Sequence, residues 1–287
     1  MDLEAIQDAL YTFVWDFYKD HELNKFRHDE TKQFFDAPLI GYAAGDDPMF
    51  ERFKETVGPF LLTPQEAWAT IRPDEEVPEQ LTAISILLPQ TKAVRDTNRN
   101  QKREDPIPSY DWIDAKLRGR QLQVAISAAI VAFLKEHGID SFATDVTSLI
   151  KPTFRSDPFR VEVPWSERHL AYAAGLGTFG LAGNIITEQG TAVRMASVIA
   201  ATALPATLRP YAHYMEYCLG SGGKCRACID RCPVSALAEG GKNVELCKER
   251  IIDRGKPLVK EKYDLVEQGC GFCQVDVPCE AGVPGKR

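Results

Sequence analysis

All eight cysteines of this 287-residue chain lie after residue 217. Cys225, Cys228 and Cys232 form C-x2-C-x3-C-P with Pro233, the spacing of thiolates that hold iron–sulfur clusters. A complete run would place another cysteine at 222, where the chain has Gly222; Cys218, beyond the glycine-bearing loop Leu219–Lys224, is the available substitute. Cys247, the C-x2-C pair Cys270 and Cys273, and Cys279 follow. Two halves with four thiolates each can supply two [4Fe–4S] clusters. When such a run holds two clusters, the cysteine before proline ligates the other one. That rule predicts Cys218, Cys225, Cys228 and Cys279 for one cluster and Cys232, Cys247, Cys270 and Cys273 for the other. A zinc ribbon would use Cys225/Cys228 with Cys270/Cys273 and leave four cysteines without a role. A disulfide framework is not expected in a chain of this length without a secretory signal.

The elements that must position these thiols come from the rest of the chain. A 44% hydrophobic composition supports a substantial core, with room for one large domain and a small cysteine-rich one. The segment Met1–Leu10 has no basic cluster, apolar stretch or twin arginine, so we expect a cytoplasmic protein. The apolar run Leu122–Leu134 is too short to cross a bilayer, and no membrane association is expected. Of the net charge of −7, residues 1–214 contribute −8 (22 Lys+Arg, 30 Asp+Glu) and residues 215–287 contribute +1 (12 against 11). A nucleic-acid partner would ordinarily leave a basic footprint, so none is expected.

Leu3, Ile6, Leu10, Phe13, Val14 and Phe17 recur at helical spacing and predict an amphipathic helix over 2–19. Residues 38–43 and 82–88 read as buried strands, and 46–80 show no clear period. The stretch Lys92–Pro108, with Arg95, Arg99, Lys102 and Arg103, reads as a solvated polar loop. A long core helix is predicted from Trp112 to His137, ended by Gly138. A strand over 141–146, a loop to Pro164 and a short helix over 167–174, N-capped by Ser166, come next. Residues 184–187 and 191–202 read as a β-hairpin turning at Gln189-Gly190.

Between that short helix and the hairpin stands Gly175-Leu176-Gly177-Thr178-Phe179-Gly180. This G-x-G-x-x-G follows a helix, precedes a strand and lacks the downstream acid, with Ala200 near that position; a dinucleotide fingerprint requires the opposite context. The stretch from Glu167 to Gly180, then Asn184-Ile185-Ile186-Thr187-Glu188-Gln189-Gly190 and Val193-Arg194-Met195-Ala196-Ser197-Val198, followed by the ferredoxin-type cysteine run, resembles the cobalamin-dependent iron–sulfur reductases. That superfamily includes reductive dehalogenases and epoxyqueuosine reductases. The resemblance spans residues 112–287.

It implies an α+β fold: a nitroreductase-like, corrinoid-binding domain over 1–207, with 1–110 the least defined part, and a bacterial-ferredoxin-like domain with two clusters over 208–287. It further implies base-off cobalamin lying against Gly175, Leu176, Gly177, Gly180 and Asn184, with electrons passing through both clusters to cobalt. No D-x-H-x-x-G motif is present, so no histidine is expected as lower cobalt ligand. Epoxyqueuosine reductases carry a proton-donating aspartate in D-x-x-P-x-x-E; here Val161 holds that position, before Pro164 and Glu167, and Glu162 is the neighbouring acid. Dehalogenases use a tyrosine supported by a basic residue, for which Tyr172 and Arg194 are the candidates, with His169 on the same short helix. The resulting expectation is a reductase of small molecules fed by a low-potential donor such as a ferredoxin or flavodoxin. Two alternatives stand beside it: a non-catalytic electron carrier or corrinoid-reducing protein, and an epoxyqueuosine reductase acting on tRNA.

Overall fold

The computed structural model describes residues 2–156 and 159–285. Asp2 accepts the Ala5 N–H and starts α1 (Leu3–Tyr18), which buries Ile6, Leu10, Val14 and Tyr18 along one stripe. Strand β1 (Leu39–Ala44) follows. The aperiodic stretch after it folds into α2 (Met49–Thr56) and α3 (Pro64–Ile71), the latter opened by a Thr63/Glu66 capping box. Strand β2 (Thr82–Pro89) is buried along its whole length. It leads into α4 (Lys92–Arg99), capped by Thr91, and α5 (Tyr110–Glu136), capped by Ser109. The chain leaves α5 through Gly138 at φ +73°, a left-handed position suited to glycine.

Four strands make one antiparallel sheet in the order β1-β2-β8-β3, with β3 at Ser141–Ala143 and β8 at Val193–Ala200. Side chains alternate between faces along a strand, and both faces of β2 are covered. Ile84, Ile86 and Leu88 join α1 and α5 in one core. Ala83 and Leu87 join α2, α3 and α6 (Glu167–Ala173) in the other. The chain is thus a mixed α+β fold with helices on both sides of a sheet. By length and composition α5 could cross a membrane; here it lies on the sheet with Leu122, Ile126, Ile130 and Leu134 buried.

Three sequence expectations need correction. The first half of the presumed solvated loop 92–108 is helix α4, with Arg95 and Asn98 buried; its basic residues find distant partners that a local charge pattern does not show. The loop before Pro164 contains a two-stranded ribbon, β4 (Thr153–Ser156) with β5 (Phe159–Glu162). The expected hairpin reduces to a bridge between Thr187 and Gly190. Ile185–Ile186 (β7) pairs with Thr178–Phe179 (β6), and β8 pairs with β2 and β3. A strand apolar on both faces gains more from two neighbours inside the sheet than from one hairpin partner.

Beyond residue 208 the elements are short: α7 (Ala227–Asp230), the ribbon β9 (Leu237–Ala238) and β10 (Gly241–Lys242), α8 (Val244–Lys248), a π-helical stretch Glu249–Gly255 and α9 (Lys256–Tyr263). This part shares cores with the rest, since Val275 packs with α1 and α5, and Cys218 and Cys279 pack against the α6 side.

A buried polar knot fixes α6 to the sheet. Glu167 accepts from Thr144 Oγ1 (3.0 Å) and Ser197 Oγ (2.9 Å), and Trp165 Nε1 donates to Ser197 Oγ (2.9 Å). Burial raises the Glu167 carboxyl from 4.5 to about 7, partly opposed by those two hydroxyls. The folded state therefore holds this proton more tightly than the unfolded chain. Its stabilising contribution is complete below about pH 4.5 and is lost as pH climbs to about 7. Glu167→Gln should abolish that decline, worth on the order of 3 kcal/mol, and thermal unfolding at pH 5 and pH 8 reads it. An unchanged pH dependence would contradict this assignment.

Candidate iron–sulfur and cofactor site

Two sulfur-lined hollows lie side by side. Cys232, Cys247, Cys270 and Cys273 border one of about 190 Å³. Cys218, Cys225, Cys228 and Cys279 border a narrower one of about 30 Å³, which Cys273 also touches. Each hollow thus gathers one of the quartets read from the spacing. Among the described residues no three His, Cys, Asp or Glu side chains converge on the space of a single metal ion. Four sulfurs round each hollow are the donor set that a four-iron cluster would take.

The surroundings also fit sulfur carrying negative charge. Leu181 N–H points at Cys218 Sγ (3.4 Å), Ala236 N–H at Cys232 Sγ (3.2 Å) and Asn184 Nδ2 at Cys273 Sγ (3.7 Å). Burial, followed by the neighbouring cysteines, pushes Cys228 up to about 11 and Cys279 up to about 12; burial also takes Cys270 to about 11. Bare thiolates are therefore disfavoured here, and bound iron would supply the missing positive charge.

The late cysteines are brought into place by the segment that sequence reading left to solvent. Asn98 Nδ2 donates to the Cys270 carbonyl (3.1 Å), and Arg103 Nε donates to that of Cys232 (3.1 Å). Arg99 pairs with the buried Glu280 (2.5 Å), next to Cys279. Two glycines complete the docking. Gly190 (φ +97°) presses on the Glu280 carbonyl, and Gly271 (φ +72°) lies flat on Trp112. A Cβ at 190 would sit 2.0 Å from that oxygen, and one at 271 only 2.1 Å from the indole.

A third cavity, about 790 Å³, opens beside the hollows, in the size range of large-ligand pockets, roughly 300–1,000 Å³. Met49, Arg52 and Phe53 of α2, His169 and Tyr172 of α6, Phe179–Leu181, and residues 212–215 and 239–242 enclose it. Gly180 and Leu181 form a wall shared with the narrower hollow, and Lys242 borders the wider one as well. Burial keeps the Tyr172 phenol above its ordinary range, with Arg209 and Arg52 opposing; at neutral pH it carries its proton. Burial and Arg168 lower His169 to about 4, so its imidazole is neutral, with Nδ1 2.7 Å from Ser166 Oγ.

Several residues singled out in the sequence stand elsewhere. Gly175 (φ +76°) meets the Leu208 backbone, Gly177 the Ile186 carbonyl, and Leu176 covers Gly41. Of this motif Phe179 and Gly180 border the large cavity, while Gly175 and Gly177 pack backbone on backbone. Asn184 borders both sulfur hollows. Arg194 lines the wider hollow, away from Tyr172; the basic neighbours of Tyr172 are Arg209 and Arg52, which no motif signals. Glu162 is clamped by Arg155 (2.9 Å) and Arg160 (2.6 Å), which hold its carboxyl below the usual range. It carries charge, with no proton to give at neutral pH.

Gly190→Ala and Gly271→Ala should each cost roughly 2–4 kcal/mol through clash and left-handed strain. After anaerobic reconstitution the first should lose iron from the Cys279 hollow and the second from the Cys270 hollow. Full iron content in both variants would contradict this docking.

No protein-family model matches the chain, and no curated protein does. Among solved structures, epoxyqueuosine reductase from Bacillus subtilis superposes with TM-score 0.51 at 17% identity, over 99% of this chain and 68% of the other. An epoxyqueuosine reductase with an epoxyqueuosine-modified tRNA-Tyr stem loop gives 0.52 at 18%, over 99% and 67%. A catabolic reductive dehalogenase in complex with 3-bromo-4-hydroxybenzoic acid gives 0.49 at 13%, over 86% and 30%. What these likenesses establish is architecture: over nearly its whole length, this chain has the fold of the epoxyqueuosine reductases.

Proposed function

We propose that the chain is a reductase that uses two [4Fe–4S] clusters and base-off cobalamin to reduce a small molecule. The observation that carries the reading is the placement of two sulfur quartets against a large cavity that presents a protonated tyrosine. When bound, clusters supply single electrons and a corrinoid supplies strongly reducing cobalt; the protein must do the rest. The two cysteine quartets would hold the clusters, in a ferredoxin-like arrangement after residue 208. Gly180, Phe179, Leu181 and residues 212–215 would flank the macrocycle on a nitroreductase-like frame before it. Tyr172 is the group with a proton to give, Arg52 steadies the charge left behind, and neutral His169 shapes the wall. A low-potential ferredoxin or flavodoxin fits as donor, in the cytoplasm.

Action on epoxyqueuosine in tRNA is the second reading, favoured by the extent of the structural likeness. The acidic balance of residues 1–214 and Val161 at the aspartate position weigh against it.

Anaerobic reconstitution with cobalamin should give one retained corrinoid per chain and a cobalt(II) resonance without nitrogen splitting. Tyr172→Phe should keep that signal while slowing turnover of a reducible acceptor, such as a halogenated phenol, by roughly 10²–10⁴-fold. Iron without retained corrinoid would overturn the reading in favour of an electron carrier. Conversion of modified tRNA to the queuosine form would select the second reading.

A further inference from the structure

The two sulfur hollows differ sharply in charge. The narrower one is lined, besides cysteine, by Gly180, Leu181, Ala182, Ile186, Val277 and Pro278 among others, and among the described residues by no ionisable side chain except the thiols. The wider one is lined by Lys116, Arg194, Lys242 and Arg250. Arg194 Nε is buried and, among the described residues, has no hydrogen-bond partner. Burial lowers its guanidinium to about 10 and the Lys116 ammonium to about 8. Glu267 is the acid facing this group; it is shared by Lys116 (3.3 Å) and Arg120 (2.9 Å). One carboxylate thus balances only part of the positive charge, and a buried cation without a partner is costly unless an anion joins it.

Resting on the reading that the quartets hold iron–sulfur clusters, we propose that Arg194 and Lys116 set the two centres apart in potential. The cluster held by Cys232, Cys247, Cys270 and Cys273 is the more easily reduced. The one held by Cys218, Cys225, Cys228 and Cys279, in apolar surroundings, is the lower-potential centre. Reduction of either adds one electron, breaks no bond, and leaves the centre one unit more negative; an external one-electron donor is oxidised in step. Nearby cations stabilise the added charge, and apolar burial opposes it. The lower-potential centre is the one that shares the Gly180–Leu181 wall with the large cavity.

The test is a dithionite titration of the reconstituted protein, followed by electron paramagnetic resonance, on wild type, Arg194→Gln, Arg194→Lys and Lys116→Met. Wild type should show two midpoints. Arg194→Gln and Lys116→Met should move the higher one down, by about tenfold in its reduction equilibrium (about 59 mV for one electron), and leave the lower one in place. Arg194→Lys, which keeps the charge, should stay near wild type. Two clusters whose midpoints ignore these substitutions, or a shift confined to the lower one, would overturn this inference and leave the cluster reading intact. Failure of wild type to take up iron would instead remove the cluster reading on which it rests.

Discussion

Neither sulfur quartet is complete until residues 268–281 dock into the groove formed by α4, α5 and the 187–190 turn. This segment brings Cys270, Cys273 and Cys279, and its place is set by contacts that tolerate little change. Asn98 holds the Cys270 carbonyl, Arg99 holds Glu280, and Gln274 Nε2 donates to the Thr191 carbonyl (2.9 Å). Gly190 and Gly271 let backbone reach backbone and indole where any Cβ would collide. The interleaving of early and late cysteines makes this docking a condition of both sites at once. Either hollow draws on thiols more than 40 positions apart in the chain.

The sheet domain answers with a rigid counterpart. β8 runs through the sheet's interior, and its start, at Val193 and Arg194, reaches the wider hollow. The Glu167 knot ties α6 to β8, so His169 and Tyr172 on the cavity side of that helix are presented to the large cavity from a fixed platform. The Thr144 and Ser197 hydroxyls both meet Glu167 Oε1, while Oε2 is buried with no hydrogen-bond partner among the described residues.

Much of this was legible in the chain. The cysteine spacing and the proline rule divided eight thiols into two quartets; the structure lines one hollow with each, and Cys273 reaches both. The α1 and α5 stripes and the β2 run were legible through burial periodicity. What escaped was set at a distance. Arg95, Arg99 and Arg103 looked like a solvated charge run, since their partners, Glu280 and backbone carbonyls, lie far along the chain. The partners of β8 were missed because sheet pairing joins strands about 110 residues apart. Within the glycine motif Gly175 and Gly177 spend their missing Cβ on protein backbone, and Phe179 and Gly180 border the large cavity. Arg52, which with Arg209 faces Tyr172, sits in a stretch without period or motif.

The central claim is that each hollow holds a cubane cluster. It is tested most directly by iron and acid-labile sulfide analysis of anaerobically reconstituted protein, wild type against Cys232→Ser and Cys279→Ser. Wild type should hold about eight iron and eight sulfide per chain, from two four-iron clusters, and either variant about half. Zinc bound without labile sulfide, or a single serine that removes all or none of the iron, would contradict it.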